Sequence, residues 1–171
     1  EPMIFALAAV SMTVGNLIAL RQTNIVRMLA YSGVAQAGYM LAPLAVASDV
    51  PDSALAATVS YLVIYAAMNL GAFAVVIAVA RKTRSAEIED YRGLFHYAPG
   101  LTVAMTIFLF ALAGIPPLGG WWAKFRIMGA VIEANTVSGV VLGVFVAVNS
   151  VIALYYYARI GAKMWADEAP D

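Results

Sequence analysis

The sequence predicts an all-α polytopic membrane protein with five transmembrane helices, the fourth of them discontinuous. Of its 171 residues, 63% are hydrophobic and only 12% are charged, whereas soluble domains carry about 25% charged residues. A helical span needs about 20 apolar residues, and apolar runs of that length recur along the chain. They are too continuous for barrel strands, which alternate over about 10 residues.

Five runs define the predicted organisation, a single transmembrane bundle over residues 1–165 followed by a tail at 166–171. The spans are residues 3–20, 28–47, 53–80, 101–132 (interrupted near 116–120) and 136–165. Helices are expected because a backbone in lipid must satisfy its hydrogen bonds within its own segment. The opening "EPMIFALAAV" has neither an initiator methionine nor the basic start of a signal peptide, which indicates a fragment or a trimmed chain.

Basic residues predict the orientation of the bundle, because cytoplasmic loops carry an excess of lysine and arginine. The connections after spans two and four contain Asp49, Asp52 and Glu133 but no basic residue. We therefore expect the loops after spans one, three and five to be cytoplasmic, in a bacterial plasma membrane. Eight of the ten basic residues lie there: Arg21, Arg27, Arg81, Lys82, Arg84, Arg92, Arg159 and Lys163.

The fourth span contains helix breakers at its centre, in "AGIPPLGGWWAKF". A proline inside a helix removes a backbone donor and costs about 3 kcal/mol. Two half-helices joined by an unwound stretch are predicted, although a plain proline kink is the alternative. An unwound stretch at membrane depth requires surrounding protein or water. The breakers are Pro116, Pro117, Gly119 and Gly120.

Lys124 follows this break and is the candidate proton carrier. A lysine in the bilayer interior costs roughly 2.5–3.5 kcal/mol, and burial disfavours its charged form. The alternative is a side chain that reaches the headgroups, but about 13 Å of helix separates Lys124 from Glu133. Arg126 reaches the surface more easily and is predicted to be structural. No carboxylate lies within the spans, so water, sequence outside this chain or another subunit would partner Lys124.

Other polar residues lie at membrane depth. Tyr61, Tyr65 and Asn69 are spaced to share one helix face, which fits either a chain of waters or interhelical hydrogen bonds. Three other intramembrane polar residues are predicted to mediate helix packing: Ser32, Gln36 and Asn149. The tyrosine run at residues 155–157 is predicted to contribute to packing and to anchor the last span at the membrane interface.

Composition argues against several other functions. The chain has no cysteine, one histidine and zero net charge, so thiolate metal sites and disulfides are excluded and nucleic-acid binding has no support. No metal-binding or cofactor-binding residue is predicted.

Three motifs point to a known family. "GNLIALRQTNIVRMLAYSGVAQAGYM" (15–40), "YAAMNLGAFAVV" (65–76) and "LAGIPPLGGWWAKF" (112–125) resemble the antiporter-like subunits of respiratory complex I, the proton-pumping NADH:quinone oxidoreductase. The subunit N branch is the most similar. The resemblance covers essentially the whole chain and implies that it corresponds to the C-terminal part of such a subunit. That family has two inverted five-helix repeats, each with one discontinuous helix, and the predicted spans correspond to the second repeat.

The resemblance implies a proton-translocating membrane-arm subunit. Lys124 corresponds to the lysine after the break in subunit N, which implies a terminal relay toward the outer side. The breakers would give flexibility, and Tyr61, Tyr65 and Asn69 would support a water chain. FMN, iron–sulfur clusters and quinone are implied elsewhere in the complex, with other membrane-arm subunits and the lipid bilayer as partners.

Three positions depart from the family pattern. Val26 and Gln36 stand where lysine and histidine are frequent, so titratable roles do not transfer to them. Arg126 replaces a residue that is more often aromatic or apolar. The first repeat, which holds the family's glutamate–lysine pair, is not in this chain, and this would explain the missing carboxylate.

Two other functions remain open at this level. The first is a subunit of a multi-subunit cation/proton antiporter, which would need no redox partners. The second is a structural membrane scaffold in which Lys124 only pairs across a subunit interface. A solute carrier is less favoured because nothing else in the chain indicates a solute site.

Overall fold

The computed structural model describes residues 1–167, and residues 168–171 of the predicted tail lie outside the described part. Residues 1–167 form seven α-helices and one 3₁₀ turn, Ile88–Tyr91. The helices are α1 Pro2–Leu20, α2 Ile25–Leu44, α3 Pro51–Thr83, α4 Leu94–Tyr97, α5 Pro99–Ala113, α6 Gly119–Glu133 and α7 Val137–Ala166. The all-helical class predicted from composition is therefore observed.

Length and hydropathy identify three helices of residues 1–167 that could each cross a bilayer, α1, α3 and α7. This is fewer than the five spans predicted. The helix α2 has 20 residues but includes Arg27, Ser32 and Gln36, and α5 and α6 have 15 residues each. Neither of the last two reaches about 20 residues alone.

The chain leaves the helical conformation between α5 and α6, over residues 114–118. Gly114, with φ of +88°, ends α5 in the left-handed region that favours glycine. The amides of Gly114 and Ile115 both donate to the carbonyl of Phe110, at 3.1 and 3.0 Å. The interruption thus begins before Pro116 and Pro117.

Gly119 and Gly120 are not part of the interruption, contrary to the sequence prediction, because they are the first two residues of α6. The first turn of α6 lies against the last turn of α5. A Cβ atom on Gly120 would stand 1.7 Å from the carbonyl oxygen of Ala111. Glycine is needed here for close approach of two helices rather than for a flexible break.

Hydrogen bonds bring the three predicted cytoplasmic segments to one end of the bundle. The amide of Ile25 donates to Ala86 and that of Ile88 donates to Thr23, at 2.8 and 2.7 Å, which joins the α1–α2 turn to the long loop. The amide of Gly93 donates to the carbonyl of Lys163 at 3.0 Å and ties the loop to α7. The basic residues of these segments therefore share one end.

Two apolar clusters fill the interior. One is toward this basic end and includes Met28, Tyr91 and Tyr157. The other includes Met12, Tyr39 and Leu142. Buried polar side chains lie where the two clusters meet, since their neighbours belong to both.

Candidate functional site

Lys124 lies inside the protein, only 9% exposed. Its Nζ donates to the carbonyl oxygen of Ala113 at 2.8 Å and stands 4.8 Å from the centre of the Tyr39 ring. Ala113 is the last residue of α5, so the ammonium lies at the helix end that carries partial negative charge. The ring face of Tyr39 adds a cation–π contact. Neither partner is a full anion.

The interruption exposes carbonyls at the end of α5 that have no partner within the helix. Those of Phe110 and Ala111 accept from the amides that follow. The remaining two carbonyls are satisfied by side chains. The Leu112 carbonyl accepts from Gln36 Nε2 at 3.3 Å, and the Ala113 carbonyl accepts from Lys124 Nζ. Gln36 and Lys124 thus complete the end of α5 together.

Tyr61 extends this arrangement from α3. It is fully buried, and its hydroxyl donates to Oε1 of Gln36. Its ring lies 6.3 Å from that of Tyr39. The amide of Gln36 therefore connects α3 to the last turn of α5.

Asn16 connects a second part of the site, where α1, α2 and α7 meet. It is fully buried, and its Nδ2 donates to the hydroxyl of Tyr39 at 3.1 Å and to Asn149 Oδ1 at 3.2 Å. Its Oδ1 accepts from the hydroxyl of Tyr156 at 2.9 Å. Because Asn16 fixes the hydroxyl of Tyr39, it also fixes the ring beneath Lys124.

We call the nine side chains of this region the buried polar cluster. All are buried, and they come from α1, α2, α3, α6 and α7. The members are Asn16, Ser32, Gln36, Tyr39, Tyr61, Lys124, Asn149, Tyr156 and Tyr157.

The three polar residues that spacing placed on one face of α3 differ in burial in the structure. Tyr61 belongs to the buried polar cluster, whereas Tyr65 and Asn69 are half-buried. Within residues 1–167 neither the Tyr65 hydroxyl nor the Asn69 amide forms a side-chain hydrogen bond. The Tyr65 hydroxyl points toward α2, since a Cβ on Gly33 would stand 3.0 Å from it.

The sequence interpretation missed Tyr156 and Tyr157. The run 155–157 suggested anchors at the membrane surface, but only Tyr155 is exposed, at 62%. Tyr157 hydrogen-bonds Ser32, and Tyr156 bonds Asn16. The spacing of Asn149 and Tyr156, two helical turns apart, was the signal that both share one face.

Chemically, the cluster provides one amine among neutral hydroxyls, amides and carbonyls. The ion pairs of residues 1–167 all lie at the basic end and do not include Lys124. No group of three or more metal-ligating side chains occurs among the same residues. An amine without a counter-ion can bind or release a proton without breaking a salt bridge.

Discontinuous helices within a helical membrane bundle are typical of membrane transporter folds. The family described as "NADH:quinone oxidoreductase/Mrp antiporter, TM" matches residues 1–150. The chain belongs to this family, and the resemblance inferred from its motifs is confirmed.

Individual relatives agree with this assignment. NADH-quinone oxidoreductase subunit N of Anaeromyxobacter sp. is 46% identical over 165 residues, which cover 94% of this chain and 31% of that protein. A chain of respiratory complex I from Thermus thermophilus with bound aureothin is 30% identical, with a TM-score of 0.77 over 99% of this chain and 38% of that one. The chain spans about a third of the length of the curated relatives it matches.

The same fold occurs in a second kind of complex. A chain of the Mrp complex from Dietzia sp. has a TM-score of 0.86 at 23% identity, over 98% of this chain and 30% of that one. At this identity the match shows a common fold and nothing more.

Proposed function

We propose that the chain is part of a proton-translocating membrane-arm subunit of NADH:quinone oxidoreductase, of the subunit N type. The observation that carries the proposal is Lys124, a buried amine at the end of α5 with no carboxylate partner among residues 1–167. The names of the similar proteins support the assembly. The subunit would act as part of a translocase, with FMN, iron–sulfur clusters and quinone in other subunits.

The proposed arrangement in the membrane has five spans. The helices α1, α2, α3 and α7 each cross once, and α5 and α6 together form the discontinuous fourth span. Loops at the basic end face the cytoplasm of a bacterium, in accordance with the excess of basic residues there. Residues 134–136 and the α2–α3 connection then face outward.

In this orientation Lys124 exchanges protons between a cytoplasmic path and the outer side. Half-buried Asn69 and Tyr65 would support waters that lead along α3 to Tyr61, and Tyr61 reaches the end of α5 through Gln36. When the amine loses its proton, the Ala113 carbonyl loses a charged donor. The segment 114–118, including Pro116 and Pro117, is then free to adjust, which would link protonation to the geometry of the break.

The test is proton pumping per NADH oxidised, in liposomes that contain the intact complex with Lys124→Ala. We expect pumping to fall sharply while assembly is retained. Lys82→Ala is the matched control, because Lys82 is exposed at the basic end of α3. Normal pumping in a fully assembled Lys124→Ala complex would show that Lys124 is only a packing charge, as the scaffold function requires.

A cation/proton antiporter subunit is the second candidate, because the matched family covers both kinds of complex. Co-purification separates the two. Flavin and iron–sulfur subunits that purify with the chain support the oxidoreductase, and their absence from an intact assembly supports the antiporter.

A further inference from the structure

Arg126 is an exposed arginine on α6 that the proton path does not use. It forms no ion pair or side-chain hydrogen bond within residues 1–167. In the proposed orientation it lies about 10 Å of helix below Glu133, the last residue of α6. A guanidinium is costly in hydrocarbon, and the long side chain of Arg126 can reach the headgroup region, so a partner among the headgroups is expected.

Arg126 lies in a groove of about 200 Å³ between α6 and the first turns of α3. One face of α6 forms one wall, since Trp122, Arg126, Gly129 and Glu133 follow the helical repeat. The other wall includes Ser53. A Cβ atom at Gly129 would meet nothing within 4 Å, so the groove is open at its centre.

The groove has charges in a definite order along the helix. Its deeper end carries the cation Arg126, and its end at the outer surface carries the anion Glu133. The outer connections add Asp49 and Asp52 and no basic residue. A matching ligand presents an anion inward and a cation outward, which disfavours a purely anionic headgroup.

Apolar side chains flank this pair of charges. Trp122 and Phe125 are 50% and 60% exposed and line the same groove. Both rings lie deeper along α6 than Arg126, in the hydrocarbon region of the proposed orientation. These rings could contact an acyl chain below a bound headgroup.

We infer that the groove binds a zwitterionic aminophospholipid of the outer leaflet, phosphatidylethanolamine, with its phosphate on Arg126 and its ammonium on Glu133. Arginine pairs with phosphate through charge-assisted hydrogen bonds. A primary ammonium can donate hydrogen bonds to the carboxylate. The inference depends on the proposed membrane orientation but not on proton transfer by Lys124.

The experiment is photocrosslinking of the intact membrane complex with phosphatidylethanolamine that carries a photoreactive acyl chain, followed by peptide mass spectrometry. We expect crosslinks at residues 122–133 and in the first turns of α3. Excess unlabelled phosphatidylethanolamine should suppress them, and excess phosphatidylglycerol should not. This competition uses the unmodified protein, so it does not depend on a variant that folds.

Variants test the two charges separately. Arg126→Gln should lower the crosslink yield by roughly tenfold, as expected for loss of a hydrogen bond to a charged group, whereas Arg126→Lys retains most of it. Glu133→Gln should remove the preference over phosphatidylglycerol. Arg81→Gln, at the exposed basic end of α3, is the matched control and should change nothing.

Three results would overturn the inference. No crosslink in the unmodified complex would mean that protein covers the groove. Equal competition by both lipids would contradict the zwitterionic assignment, and an unchanged yield in Arg126→Gln would indicate only non-specific lipid contact. Whether the Lys124→Ala complex loses or retains proton pumping does not affect this inference about lipid binding.

Discussion

Lys124 and Arg126 are two residues apart on α6, yet one is buried and the other is exposed. With 3.6 residues per turn, side chains two positions apart point about 200° from one another. The face of α6 that turns inward carries Ala123, Lys124 and Ile127. The two cations therefore occupy unrelated environments, and only Lys124 contacts the end of α5.

Tyr61 supports the end of α5 indirectly, because its hydroxyl donates to Gln36, which bonds the carbonyl of Leu112. In Tyr61→Phe the ring is kept, but Oε1 of Gln36 loses its donor. An unsatisfied buried polar group costs about 1–3 kcal/mol, so we expect a lower thermal unfolding midpoint of the assembled complex.

The double variant Tyr61→Phe with Gln36→Leu provides the control. It removes both partners of the hydrogen bond, so its unfolding midpoint should fall by less than the sum of the decreases in the two single variants. Fully additive losses would show that the Tyr61–Gln36 hydrogen bond does not contribute. Tyr65→Phe is a matched single variant, because the Tyr65 hydroxyl forms no side-chain hydrogen bond within residues 1–167, and it should change the midpoint little.

At the scale of helices, the α5–α6 break depends on two glycines for different reasons. Gly114 adopts positive φ, and a Cβ there would also stand 2.8 Å from Cδ of Lys124. Gly120 permits the start of α6 to lie against the Ala111 carbonyl. The first requirement is conformational, and the second is one of space.

Gly120→Ala should prevent α6 from packing correctly against the end of α5, because the obstructing atom is a backbone oxygen that cannot rotate away. We expect little assembled complex in membranes, as measured by native gel electrophoresis. Gly100→Ala is the control, since a Cβ there meets nothing within 4 Å, and it should assemble normally. Normal assembly of Gly120→Ala would contradict the close contact between α5 and α6.

At the scale of the whole molecule, the loop between α3 and α5 holds the basic ends of the helices together. Glu89 bonds Lys163 of α7 at 2.7 Å and Arg92 at 3.2 Å. The Lys163 hydrogen bond, assisted by the charges of Lys163 and Arg92, lowers the pKa of the Glu89 carboxyl below its usual range. The pair thus joins the loop to α7 through an interaction that depends on pH.

A lowered pKa in the folded state stabilises the attachment of the loop above the ordinary glutamate pKa of about 4.3. This contribution is lost as the pH falls through the lowered value. Amide hydrogen exchange of residues 86–93, corrected for intrinsic rates, should therefore accelerate below about pH 4. Lys163→Gln should accelerate it already at neutral pH and reduce the dependence on pH. An identical pH profile in both proteins would exclude the ion pair as the cause.

The sequence could predict the features that depend on local chemistry. Apolar runs predicted helices because lipid satisfies no backbone hydrogen bond, and three motifs indicated the family. "GIPPLGG" predicted an interruption but not its bounds, since the roles of Gly114 and Gly120 depend on which atoms approach them in space. Lys124 was identified because a lysine in an apolar segment is costly wherever the chain folds.

The partners of Lys124 could not be predicted in the same way. Tyr39 contacts Lys124, Asn16 bonds Tyr39, and Tyr156 bonds Asn16, and these contacts depend on how α1, α2 and α7 are rotated and offset. Periodicity reports which residues share a face of one helix but not which face of another helix it meets. Sequence by itself therefore determined the helical membrane class, the family and the buried lysine. Only the tertiary structure decided which carbonyl and which ring contact that lysine, and which amides hold them in place, because those contacts arise when separate helices pack.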